Sequence, residues 1–175
     1  MNEIYLLNHR APSYEPFKSI MRLPKEEAFA LAAKLNEDKT CDANDRFGPS
    51  FAEYYETRLR AENWLYENFK GIGGKPQTKH PLYFYVYGWD LASKFWPVNI
   101  TEKIPLSGIE PCDISFSIGD SCDEKNRQLP FMKDKLYELI STHGSIEYLL
   151  AYVKSQIGYG MIEAQLWNDK YVGKG

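Results

Sequence analysis

The chain has 175 residues, which is enough for one domain with a sizeable core. A hydrophobic fraction of 43%, a charged fraction of 26% and a net charge of −3 are typical of a globular protein and argue against a general nucleic-acid coat protein. Its 3 cysteines are odd in number and form no C-x-x-C pair, so they suggest neither a disulfide framework nor a zinc knuckle and fit a reducing cytosol. The chain has no secretory pattern and no long apolar run, so we expect a cytoplasmic protein that does not cross a membrane.

The first part of the chain predicts two short strands and a helix. Residues 3–8 have the pattern of a strand, followed by His9 and Arg10, and residues 17–22 could form a second one. A helix is predicted to begin after Pro24 and to fade at Asn36. The polar segment 37–49 that follows is expected to be a loop.

The longest helical pattern covers residues 50–69 and is the framework of the chain. Ser50 and Glu53 have the spacing of a capping box, and glycines end the run. Aromatic and apolar residues recur at helical spacing, and Arg58 and Glu62 lie within that stripe rather than on the opposite, solvated face. This placement indicates either an ion pair inside an aromatic core or a functional site.

A basic, glycine-rich loop follows this helix at residues 70–81. It contains Lys70, Lys75 and Lys79 and no acidic residue, so it could hold a phosphate group. Its glycines follow a helix C-terminus, whereas those of a Walker motif precede a helix whose N-terminus faces the phosphate. The alternative is a helix stop with a flexible surface loop.

The remainder of the chain predicts four strands and an α-helical hairpin. Strand patterns cover 82–87, 98–106, 113–118 and 160–167, and Pro105 makes the second of these an edge strand. Residues 89–96 resemble a short helix or turn, and 130–143 and 145–156 form two helices. We therefore expect one α+β domain over residues 1–175, with the order β-α-α-β-β-β-α-α-β. Its mixed sheet of five or six strands would be packed by about four helices.

An acidic run at residues 110–124 could face a basic partner or be ordinary solvated surface. Asp120 and Ser121 follow a strand there, a common position for site residues. The aspartates lack the spacing of an EF-hand and the histidines are scattered, so we expect neither a metal nor another cofactor.

The chain carries no signature of a serine or cysteine nucleophile, which leaves acid, base and cation chemistry. Such a site can cleave RNA by activating a 2′-hydroxyl, protonating the leaving oxygen and stabilising the phosphorane charge. The candidates are Glu62 or Glu163 as the base, His80 or His9 as the acid, and Arg58 with Lys75 or Lys79 as the phosphate clamp. The candidate RNA contacts are Lys70, Lys75, Lys79, Tyr83 and Tyr85.

A second interpretation is an enzyme that processes nucleotides. A glutamate on a late strand of an α+β domain resembles ADP-ribosyltransferases, whose signature places Gln or Glu two residues before the catalytic Glu. Here the order is reversed, with Glu163 before Gln165.

The segments RLRAENWLYENF, GGKPQTKHPLYFYV, DISFSIGDS and IEAQLWNDKY resemble small proteins of mobile elements in Gram-positive bacteria. The chain is similar overall to type II-A anti-CRISPR proteins. That resemblance implies an RNA-guided nuclease or its guide RNA as partner, with the acidic run facing a basic groove and the basic loop meeting RNA. The action could be RNA cleavage or stoichiometric binding by a non-enzymatic interaction module.

Overall fold

The computed structural model describes residues 3–38, 46–87 and 100–173. The strands described are β1 (Tyr5–Arg10), β2 (Leu82–Val86), β3 (Ile100–Pro105), β4 (Ile114–Ile118) and β5 (Ile162–Leu166). The α-helices described are α1 (Lys25–Glu37), α2 (Phe51–Gly71), α3 (Lys133–His143) and α4 (Ile146–Ile157). Among these helices, none is long and apolar enough to span a membrane.

The five described strands form one sheet in the order β3-β1-β2-β5-β4. This confirms the α+β class, with the helices outside the sheet. The four ladders between these strands are all antiparallel, where the sequence analysis expects a mixed sheet. Within the described residues, the one parallel pairing is an isolated bridge between Gly119 and Ile162. The strand with Pro105 lies at one edge, as predicted, where the missing N–H of proline disturbs no second neighbour.

One face of the sheet is apolar and carries the main core. Alternation along the strands points Leu6, Phe84, Phe116 and Ala164 to this face, where α3 and α4 cover them. The two helices contribute Leu136, Ile140, Leu149, Leu150 and Val153 to this core. Burial of this face is the largest apolar contribution to folding in the described part of the chain.

The opposite face of the central strands is polar yet buried, because α2 lies over it. Leu65 and Phe69 of α2 pack against Trp167, which follows β5, and Tyr83 of β2 lies beside them. The Phe69 and Trp167 rings stack with centroids 5.7 Å apart. The N-terminal half of α2 instead packs against α1, where the centroids of the Phe29 and Phe51 rings lie 4.9 Å apart. The sheet is thus enclosed between α2 on one side and α3 and α4 on the other.

Three local predictions differ from the structure. Residues 17–22 form no strand: Phe17 has a φ of 54°, which breaks extended backbone, and a 3-10 helix covers Ile20–Arg22. Strand β1 runs on through Arg10, so His9 lies within the sheet. The Ser50 side chain makes no capping hydrogen bond at the start of α2. The predicted short helix or turn at 89–96 lies outside the described residues, as does most of the predicted loop at 37–49.

Candidate functional site

A cavity of about 720 Å³ opens between the polar face of the sheet, the first half of α2 and the turn after β4. Its size is that of a small-ligand site. Its cations are Arg10, Lys18, Arg46 and Arg58, and its carboxylates are Glu15, Glu53, Asp120 and Glu163. Its rings are His9, Tyr14, Phe47, Tyr54, Tyr83, Tyr85 and Tyr159. We call this space the central cavity.

Arg58 is held in place on the wall of the central cavity by three contacts. Its Nε donates a hydrogen bond to Glu62 Oε1 at 3.0 Å, and its Nη1 lies 3.3 Å from the sulfur of Cys122. Its guanidinium carbon lies 3.4 Å from the centre of the Tyr83 ring, so the group stacks on that face. The side chain is only 13% exposed. The cation is therefore preorganised before any ligand arrives.

Glu62 and His80, the other predicted members of this group, stand behind Arg58. The Glu62 side chain is fully buried, and its Oε2 lies 2.6 Å from His80 Nδ1. Neither residue lines the central cavity. The carboxylate thus bridges an arginine and a histidine, and its evident role is to orient the guanidinium.

Glu163 lies on β5, opposite Tyr85 of β2 and Ser117 of β4. It lines the central cavity but is only 4% exposed. Burial, with the charge of Asp120, raises its pKa to about 7, although Arg58 and the Ser121 N–H both favour the ionised form. That N–H donates to Oε2 at 3.1 Å. The carboxyl can therefore take up or release a proton near neutral pH.

A buried hydrogen-bond network supports this carboxyl from the same sheet face. Trp167 Nε1 donates to Ser115 Oγ at 2.9 Å, and Ser115 Oγ donates to Gln165 Oε1 at 2.9 Å. Gln165 Nε2 in turn donates to Ser117 Oγ at 2.9 Å and lies 3.4 Å from Glu163 Oε2. Gln165 itself does not line the central cavity. Of the two residues compared with the ADP-ribosyltransferase signature, Glu163 lines the cavity and Gln165 belongs to the hydrogen-bond network behind it.

The turn after β4 brings two more side chains to the central cavity. Gly119 has a φ of +76°, a conformation that favours glycine, and it directs Asp120 and Cys122 inward. Asp120 Oδ1 accepts a hydrogen bond from the Cys122 N–H at 2.8 Å. Burial raises the pKa of the Cys122 thiol despite the nearby Arg58, so it is a poor nucleophile at neutral pH.

Arg46, Tyr54 and Cys122 also line the central cavity, and no sequence motif marks them as site residues. The Arg46 guanidinium lies 5.1 Å from the centre of the Tyr54 ring. Tyr54 was visible as part of the α2 stripe. Arg46 and Cys122 belong to segments without periodicity, and such segments give no signal of where their side chains lie.

The predicted phosphate-binding lysines lie elsewhere. Lys70, Lys75 and Lys79 do not line the central cavity, whereas Tyr83 and Tyr85 do. The glycine-rich loop is hydrogen-bonded to the end of the sheet. The Lys75 N–H donates to Cys112 O at 2.8 Å. The N–H groups of Gln77 and Thr78 donate to Trp167 O at 2.9 and 3.1 Å. The structure therefore separates the basic loop from the arginines of the cavity.

Some carboxylates of the acidic run at residues 110–124 form hydrogen bonds or ion pairs within the protein. Asp113 is buried and accepts hydrogen bonds from Tyr171 at 2.6 Å and Asn168 at 3.2 Å. Glu124 pairs with Arg60 at 3.0 Å, and Asp120 lines the central cavity. These contacts leave a smaller acidic surface for a basic partner than the sequence predicts.

Within the described residues, no three His, Cys, Asp or Glu side chains are grouped closely enough to hold a metal ion. Comparisons with protein-family models, with curated proteins and with solved structures gave no match.

Proposed function

We propose that this protein is an acid–base enzyme that cleaves a nucleotide phosphodiester without a metal ion, with RNA as its substrate. The observation that carries the proposal is a buried carboxyl with a pKa raised to about 7, in the same cavity as a preorganised arginine. Glu163 supplies the base and Arg58 the cation that this chemistry requires.

The reaction follows from these two groups. In its carboxylate form, Glu163 takes the proton of the attacking hydroxyl, which is a 2′-hydroxyl in RNA. As the new phosphorus–oxygen bond forms, the bond to the leaving oxygen breaks on the opposite side of phosphorus. The leaving oxygen takes its proton from water, and the Glu163 carboxylic acid later releases its proton to solvent. Arg58 stabilises the negative charge that grows on the phosphoryl oxygens between these steps.

The rest of the central cavity supports a nucleotide as the reacting unit. Aromatic rings such as Tyr54 and Tyr85 line it, and bases stack on aromatic side chains. Arg46 adds a second guanidinium beside the Tyr54 ring. A volume of about 720 Å³ accommodates one nucleotide rather than a duplex.

The test uses end-labelled RNA and a set of dinucleoside monophosphates, incubated in EDTA with substoichiometric protein. We expect product beyond one equivalent, with 2′,3′-cyclic phosphate ends. Glu163→Gln should lose this activity while remaining folded, and Lys75→Met, in the loop away from the cavity, should retain it. Intact substrates throughout, or equal cleavage by Glu163→Gln, would contradict the proposal.

The link to an RNA-guided nuclease remains a prediction from the sequence resemblance. Including a CRISPR guide RNA and an unrelated structured RNA in the same assay tests it. Faster cleavage of the guide would support that link. Equal rates would favour a general ribonuclease, and tight binding of the guide complex without cleavage would favour a stoichiometric inhibitor.

A further inference from the structure

The phenol of Tyr83 is an unusual group in the central cavity. Its hydroxyl oxygen is buried, and it has no hydrogen-bond partner within the part of the chain that the structure describes. Native proteins seldom leave such a group unpaired, because a buried donor without a partner has lost its hydrogen bonds to water. A ligand in the cavity could supply the acceptor that this hydroxyl lacks.

The Tyr83 ring is fixed by the sheet. Strand β2 lies between β1 and β5, and its neighbours Leu82 and Phe84 are buried in the opposite, apolar core. On the cavity side, the Arg58 guanidinium stacks on the ring at 3.4 Å. The hydroxyl therefore cannot turn away to find a partner without disturbing both faces of the sheet.

We propose that the Tyr83 hydroxyl and the Arg58 guanidinium together form an anion subsite, in which the hydroxyl donates a hydrogen bond to a phosphoryl oxygen of the substrate. This inference rests on the proposed function and assigns Tyr83 a contact with the reacting group. It makes Tyr83 a substrate-binding donor rather than a platform for base stacking.

The charges around the subsite are consistent with an anion. Burial raises the pKa of Tyr83 well above its ordinary value, so the phenol keeps its proton and remains a donor at neutral pH. Cys122 stays a neutral thiol for the same reason. Three carboxyls lie near the subsite. Glu62 pairs with Arg58 at 3.0 Å, Asp120 and Glu163 line the same cavity, and Glu163 is protonated in a large fraction of molecules at pH 7. Repulsion of the phosphoryl oxygens therefore comes from Glu62 and Asp120, and attraction comes from Arg58.

Inorganic phosphate is a suitable probe, because it carries the proposed anionic oxygens and nothing else of the substrate. Titration of the isotope-labelled protein, followed by NMR, gives its Kd and the residues whose signals shift. We expect shifts at the central cavity and a Kd raised about tenfold in Tyr83→Phe, since a hydrogen bond to a charged group is lost. Tyr66→Phe, which removes a phenol outside the cavity, should leave the Kd unchanged.

A role for Tyr83 in structure alone predicts a different result. Tyr83→Phe would then bind phosphate as tightly as the wild type, and this would overturn the subsite. A second readout needs no variant: tyrosine ring-carbon signals of the wild type should include one that shifts with phosphate, and its absence would also overturn the subsite. Weakened phosphate binding in a protein that cleaves no RNA would retain the subsite and reject the enzymatic function. Unchanged cleavage and KM in Tyr83→Phe would reject the subsite and retain the enzymatic function.

Discussion

Replacing Glu163 by glutamine separates the chemistry of this carboxyl from its packing. The amide has nearly the same volume and retains an oxygen that can accept the Ser121 N–H, which donates to Glu163 Oε2 at 3.1 Å. It removes only the ionisation. In the proposed enzyme, therefore, Glu163→Gln should lose activity and gain a different dependence of stability on pH.

The size of the expected change in stability with pH follows from the raised pKa of Glu163. A rise from the ordinary value of 4.5 to about 7 means that the folded protein holds a proton which the unfolded chain releases between these pH values. The wild type therefore loses stability as pH rises through this range. At about 1.4 kcal/mol per pH unit, the loss reaches about 3 kcal/mol by pH 8, whereas Glu163→Gln has no such loss.

The assay is urea denaturation of both proteins at pH 5, 6, 7 and 8. Subtracting one free energy of unfolding from the other removes the titration of groups that do not interact with Glu163. We expect the difference to shift in favour of Glu163→Gln by about 2–3 kcal/mol between pH 5 and pH 8. Glu138→Gln removes an exposed carboxylate on α3 and controls for the lost negative charge. Parallel curves for Glu163→Gln and the wild type would refute the raised pKa.

Three further predictions concern neighbouring groups. Glu62→Leu should cost about 3–5 kcal/mol of unfolding free energy, because it leaves the buried Arg58 cation without its carboxylate partner. The double variant with Glu62→Leu and Arg58→Met should cost clearly less. Equal costs of the single and double variants in urea denaturation would contradict this. Tyr83→Phe should leave the stability unchanged or raise it by up to about 1 kcal/mol, since the lost hydroxyl is unpaired, and a large loss of Tm would indicate a hidden partner. Gln165→Leu should cost about 2–4 kcal/mol, because the Ser115 hydroxyl loses its acceptor and Ser117 Oγ loses the Gln165 donor. A circular-dichroism melt that matches the wild type would refute it.

Much of the fold could be predicted from local patterns. Alternation identified β2, β4 and β5, and helical spacing identified α2 and the α3–α4 hairpin, because each pattern reflects which side of one element is buried. The same reasoning predicted that Arg58 and Glu62 point inward, and the structure confirms their burial. The strand predicted at residues 17–22 was wrong, because Phe17 has a φ of 54° and Ile20–Arg22 form a 3-10 helix.

The site itself depends on the tertiary structure. A raised pKa at Glu163 requires a helix over the polar face of β5 and the approach of Asp120 on another turn, and neither is encoded near Glu163 in the chain. Likewise, Lys75 is separated from the arginines because the glycine-rich loop is hydrogen-bonded to the end of the sheet. Local sequence patterns predict most of the described helices and strands and many of their buried side chains. Only the packing of those elements decided which charges share a cavity, because burial and proximity between distant residues set both pKa and ligand geometry.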